Sequence, residues 1–256
     1  IFGFVRDMVV AAIFGAGIAT DAFFVAFRIP NLLRRLLGEG SLTAAFIPVF
    51  TEELKTKSRE SALELAGIAF TLFSILGVLI SLVGVLLSPL FVSLMAPGFL
   101  KSPDQFELTV FLTRLMFPYT FFVFLVALCM GILNSLRHFA APALSPVVLN
   151  FAMILTALLF HRHFQQPITV LAIGVLLGGV LQLALQWPFL IKMGVRLKPN
   201  FHFRHPGMEK IGLLLLPTLV GSGIYQINIF IGTILASLLP RGSVTLLYYA
   251  YRLVEL

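Results

Sequence analysis

Four long stretches of this chain contain no Asp, Glu, Lys or Arg: residues 65–87, 115–136, 168–191 and 211–240. Each reaches the roughly 20 residues that an α-helix needs to cross the hydrocarbon core of a bilayer. No water reaches backbone N–H and C=O groups in that core, so only helices and closed barrels span it. A barrel strand is about ten residues of alternating polarity; these runs are longer and do not alternate. The chain therefore reads as all-α, a polytopic transmembrane helix bundle. Its composition agrees. It is 59% hydrophobic and 11% charged, with a mean hydropathy of +1.02, whereas soluble domains carry about 25% charged residues.

Turn and breaker residues divide the chain into eight segments. The first is 1–16. The second is 21–54, interrupted at Pro30 and around Gly38-Glu39-Gly40. The third is 61–87, followed by a loop through Ala96-Pro97-Gly98. The fourth is 106–136 with a kink at Pro118, the fifth 142–160 and the sixth 168–192. The seventh is 208–239 and contains Pro217, Gly221 and Gly223; the eighth begins near Ser243. Both chain ends fall inside apolar pattern without an initiator Met, so a piece of a longer protein is expected. No cleavable signal peptide is expected.

Loop charge orients these segments. Nine cations fall between segments two and three, four and five, or six and seven: Lys55, Lys57, Arg59, Arg137, Lys192, Arg196, Lys198, Arg204 and Lys210. The alternate loops hold three, Lys101, Arg162 and Arg241. The positive-inside rule places the first group, and with it the N-terminus, in the cytoplasm. This bias accounts for much of the net charge of +7. Nucleic acid is not an expected partner, since no basic face with stacking aromatics stands apart from the membrane.

No catalytic constellation appears. Cys129 is a lone cysteine in an apolar run and reads as a small buried hydrophobe. The five histidines, His138, His161, His163, His202 and His205, lie in or near loops without a matching carboxylate or thiolate set. No phosphate-binding glycine loop occurs, and neither an enzyme nor a bound cofactor is expected. Gly174-x-x-x-Gly178 permits close helix contact, read first as packing within the chain.

The remaining signal is charge inside apolar sequence. Arg6, Arg28, Arg34, Arg35, Arg114 and Arg252 lie within or at the edges of spans, with acids at Asp7, Asp21 and Glu39. An ionisable group at membrane depth needs a partner, a watery cavity or a charged ligand. Arg6 and Asp7 point about 100° apart on a helix, so they need not pair. Guanidinium binds two oxygens at once, which suits a diphosphate or a polycarboxylate. The alternatives for each arginine are a structural ion pair or snorkelling to the interface; Arg28, Arg35 and Arg114 are read this way first.

The N-terminal pattern is long and specific. Gly3-Phe4-Val5-Arg6-Asp7 is followed by Ile13-Phe14-Gly15-Ala16-Gly17 and by an unbroken run from Thr20-Asp21 through Phe27-Arg28-Ile29-Pro30-Asn31 to Arg34-Arg35. Glu39-Gly40, Ala45-Phe46-Ile47-Pro48-Val49, Ala96-Pro97-Gly98-Phe99 and Tyr248-Tyr249-Ala250-x-Arg252 complete it. With these motifs the sequence resembles the MurJ/MviN lipid II flippases, within the multidrug/oligosaccharidyl-lipid/polysaccharide exporter superfamily. The resemblance implies two lobes of six helices around a central cavity. Residues 1–200 would form the N-terminal lobe and 201–256 the start of the second. It implies translocation of lipid II, the lipid-linked peptidoglycan precursor, across the bacterial inner membrane. The implied substrate-binding residues are Arg6, Arg34 and Arg252, with the acids Asp21 and Glu39 beside them and Glu255 as a further recurrent acid. Tyr251 departs from the Asp that often precedes the last arginine. Another exporter of the superfamily, or a non-transporting scaffold of wall synthesis, are the competing readings. The arginine-rich spans argue against an exporter of cationic drugs.

Overall fold

The computed structural model describes residues 2–36 and 41–254. The expected break at Gly38-Glu39-Gly40, and the acids Glu39 and Glu255, lie outside them. The described chain contains helices and no strand. α1 is Phe2–Phe14, α2 Ile18–Leu36, α3 Leu42–Thr56, α4 Arg59–Leu86 and α5 Ser88–Met95; a 3-10 turn over Pro97–Lys101 follows. α6 is Pro103–Met116, α7 Tyr119–Ser135, α8 Ala140–Phe160, α9 Thr169–Lys192, α10 Pro206–Ser237 and α11 Ser243–Val254.

Among the described residues, length and apolarity qualify four units to cross a membrane: α4, the stretch Pro103–Ser135, α8 and α9. α10, bent by 45° between Pro206–Gly221 and Gln226–Ser237, makes a fifth. The other three expected segments are helical too, as α1, α2 with α3, and α11, but do not pass that test among the described residues. α1 and α11 have 13 and 12 residues, and α2 and α3 carry ionisable groups along short lengths.

Two of the expected breaks come out differently and one as expected. α2 continues through Pro30. The segment after residue 87 is not an open loop, because α5 occupies most of it. Pro118 does separate α6 from α7. Proline there supplies no N–H to the preceding helix, and the Phe117 carbonyl at the turn accepts the Thr120 N–H at 2.9 Å together with two hydroxyls. Thr120 Oγ1 donates to it at 2.8 Å and Ser81 Oγ at 3.3 Å.

Small residues let the helices close. A Cβ on Gly174 would sit 3.0 Å from Met153 Cα, and one on Gly178 would sit 3.2 Å from Leu149 Cα. The Gly174-x-x-x-Gly178 stripe is thus the seam between α9 and α8. Aromatic rings fill the interior between α2, α3 and α7, with Phe23 stacked on Phe27 and Phe46 on Phe50. Cys129 is fully buried there.

Candidate anion-binding cavity

A cavity of about 360 Å³ opens between α1, α2 and α8 on one side and α10 and α11 on the other. Five guanidiniums line it: Arg6, Arg28, Arg34, Arg35 and Arg252. The amides of Asn31, Asn150 and Gln226 and the phenols of Tyr248 and Tyr251 complete its polar wall. Arg6, Arg34 and Arg252 share this cavity although they come from three helices. Arg28 and Arg35, read from sequence as structural, line it too. Arg114 does not; it is exposed on α6.

Asp7 organises the floor. It is 3% exposed and Arg6 is 5% exposed, so neither charge is screened by water. Arg6 donates to Asp7 Oδ1 from Nε at 2.9 Å and from Nη2 at 2.6 Å. Adjacent helical positions diverge, but the long arginine side chain curls back because both groups are buried and each needs the other. Arg252 Nε reaches the second oxygen of Asp7, Oδ2, at 2.9 Å. The acid missing at Tyr251 is thus supplied by α1. Arg6 Nη2 also donates to the Tyr248 hydroxyl at 2.8 Å, and Tyr248 stacks on Phe24 with centroids 4.1 Å apart. A Cβ on Gly3 would lie 2.7 Å from Arg252 Nη2, so this position leaves the guanidinium its room.

Arg28 and Arg34 are held in different ways. Arg28 Nη1 donates to the Ile229 carbonyl at 3.0 Å and to Thr233 Oγ1 at 2.5 Å. It therefore ties α2 to α10. Arg34 Nε donates to Asn31 Oδ1 at 3.1 Å, one turn back on its own helix.

Asp21, expected beside the cavity arginines, is elsewhere. It does not line the cavity. Its carboxylate accepts from the N–H of Gly242 at 2.6 Å, the N–H of Thr245 at 2.8 Å and the hydroxyl of Thr245 at 2.6 Å. Those are donors of the first turn of α11. A helix start leaves such N–H groups unsatisfied and carries partial positive charge. Gly242 stands at the cap position, has no side chain of its own and adopts φ +91. An acid from α2 supplies the missing cap. Sequence spacing held no sign of this, because 221 residues separate Asp21 from Gly242.

Further contacts join α10 to the preceding helices near both of its ends. The N–H of Gly98 donates to Ser237 Oγ at 3.3 Å near the C-terminus of α10. At its N-terminus Lys210 pairs with Glu52 of α3 at 2.5 Å. Among the described residues, no group of three or more His, Cys, Asp or Glu is arranged to hold a metal ion.

Comparison with known proteins gives this architecture its lineage. A family model described as "Lipid II flippase MurJ" matches residues 10–256. The chain belongs to the lipid II flippase MurJ family. It is 41% identical over 255 residues to a "Probable lipid II flippase MurJ" of Buchnera aphidicola subsp. Acyrthosiphon pisum, covering 100% of this chain and 50% of that relative. Identity to the Vibrio cholerae protein of that name is 41% over 262 residues, again across 100% of this chain and 50% of the relative. A solved structure of lipid II flippase MurJ in an inward closed conformation superposes with a TM-score of 0.81 at 27% identity, covering 99% of this chain and 52% of the other. The chain thus spans about half the length of the MurJ proteins it matches. The all-α membrane architecture inferred from its apolar runs is that of the MurJ structure.

Proposed function

We infer that this chain is the first half of a carrier that moves lipid-linked peptidoglycan precursor from the cytoplasmic to the outer leaflet of a bacterial inner membrane. The observation that carries this reading is the convergence of Arg6, Arg28, Arg34, Arg35 and Arg252 on one cavity. Such a precursor carries a diphosphate and a polar headgroup that hydrocarbon excludes. Guanidinium forks bind the diphosphate oxygens in pairs. The polyprenyl tail stays in the surrounding lipid while the head crosses. Cargo is held moderately, since a site that grips too tightly does not release.

In this reading residues 1–200 form one lobe, and α10 and α11, within 201–256, begin the second. The N-terminus is cytoplasmic. The Asp21 cap on α11 and the Gly98–Ser237 contact then close the outer end, while Glu52–Lys210 ties the inner end. Alternating access by rocking the lobes parts one set at a time. Asp21 acts in closure rather than on cargo. Arg6, Arg34 and Arg252 contact the headgroup, and Glu39 is assigned with them from the family pattern. No catalytic step on the cargo is invoked.

The test uses the full-length protein in a strain depleted of its own flippase. Ala at Arg6, Arg34 and Arg252, singly and together, should abolish growth and lipid II translocation while membrane abundance is kept. Lys at each position should impair transport less, because it keeps charge but loses the bidentate fork. Intact translocation in the triple Ala variant would overturn the reading in favour of a scaffold.

A further inference from the structure

The C-terminus of α9 ends in a complete glycine cap. Gly194 adopts φ +73. Its N–H donates to the Ile191 carbonyl at 2.9 Å, and Val195 N–H donates to the Leu190 carbonyl at 2.9 Å. These are the paired bonds of a Schellman turn. The reversal folds residues 195–197 back beside the last turns of the helix. Between them lies a groove of about 340 Å³ lined by Trp187, Leu190, Ile191, Val195, Arg196 and Leu197. Its body is apolar and its one charged lining residue is an exposed arginine.

The segment itself is cationic, with the nearest acids, Glu60 and Glu64, on the neighbouring α4. Lys192, Arg196, Lys198 and Arg204 follow one another in a chain that has no Asp or Glu between Glu107 and Glu209. A helix C-terminus by itself repels anions. Here Arg59 of α4 donates Nη2 to the Met193 carbonyl at 2.5 Å and so covers that end with positive charge. Lys192 Nζ lies 5.8 Å from the centre of the Phe189 ring. Trp187, packed 6.3 Å from Phe70 and 37% exposed, is the amphipathic aromatic found at headgroup level. The groove therefore sits at one end of a 24-residue membrane helix, where headgroups meet acyl chains.

Basic pockets at the cytoplasmic ends of spanning helices recognise anionic lipid headgroups. We propose that this groove is a binding site for one anionic phospholipid. Its acyl chain lies along Trp187, Leu190, Ile191 and Val195, and its phosphate meets Arg196. A zwitterionic lipid offers the same phosphate but brings a cation of its own against that guanidinium. The site shares no lining residue with the arginine cavity, and the inference stands whatever that cavity carries.

Native mass spectrometry of the full-length protein, equilibrated with equal phosphatidylglycerol and phosphatidylcholine, tests it. Phosphatidylglycerol should be retained over phosphatidylcholine by roughly fivefold, the effect of about one surface cation. Arg196→Gln should bring the ratio close to one, Arg196→Lys should keep most of it, and Trp187→Ala should lower retention of both lipids. Arg6→Ala and Arg252→Ala should leave the ratio unchanged. Equal retention of the two lipids by the unaltered protein would overturn the proposal. So would full selectivity in Arg196→Gln. Loss of selectivity in the Arg6 and Arg252 variants alone would place the anionic lipid in the arginine cavity and end the assignment.

Discussion

Asp7 of α1 and Arg252 of α11 are 245 residues apart in sequence and joined by a 2.9 Å ion pair. With Arg6 on its other oxygen, Asp7 carries two guanidiniums on one buried carboxylate. The pair closes the junction between the first helix and the last, and it sets where both arginines stand in the cavity.

Asp7→Asn keeps the shape and removes the charge, leaving two arginines close together without their counter-ion. Breaking a buried pair in this way costs about 3 kcal/mol. Thermal unfolding of the full-length protein in detergent should show the loss. Combining Asp7→Asn with Arg252→Gln should cost less than the sum of the two. Strict additivity would mean that the ion pair does not couple the helices.

Asp21→Ala should free the first turn of α11. Losing a side-chain cap costs about 1 kcal/mol, and more where several donors are orphaned together. Hydrogen exchange at residues 242–246 should quicken, with little change in α8 or α9. Unchanged protection at Thr245 would contradict the cap.

Thr233→Val removes an acceptor from Arg28 while preserving size. Polar contacts between membrane helices are worth roughly 1 kcal/mol, so the destabilisation should be modest, and Thr233→Ser should restore stability. Equal loss in the Ser and Val variants would point to packing instead of the hydrogen bond.

Gly98→Ala would drive a Cβ into the backbone carbonyl of Ser237. Spin labels near Ser102 and Leu239 should report a wider separation in this variant. The unaltered distance in Gly98→Ala would show that the contact tolerates a side chain.

Glu53 lies in the last turn of α3 beside the charged loop. Burial alone would raise its carboxyl, but hydrogen bonds from Lys57 and Ser61 bring it below the ordinary carboxylate value. A lowered folded pKa means that Glu53 adds stability above its unfolded value of about 4.3. That contribution fades as pH falls through the lower folded value. Glu53→Gln should therefore flatten the acid limb of a stability–pH curve. An unchanged acid limb would exclude this residue as its source.

Sequence alone determined the class of this protein, because uncharged runs of bilayer length admit few folds and a long motif restricts the family. It also marked six arginines as cations in apolar sequence, costly unless something uses them, and the family resemblance implied Arg6, Arg34 and Arg252 among them. Tertiary structure decided the rest. Arg28 and Arg35 face the same cavity, a fact of helix rotation that local spacing leaves open. Asp21 looked like a partner for arginine because opposite charges at membrane depth attract. It caps α11 instead, since a glycine start 221 residues away needs donors satisfied as urgently as a cation needs an anion. Asp7 was legible as a charge but not as a bridge, because periodicity fixes the direction of a Cβ while the reach of a long side chain is set by what is buried around it.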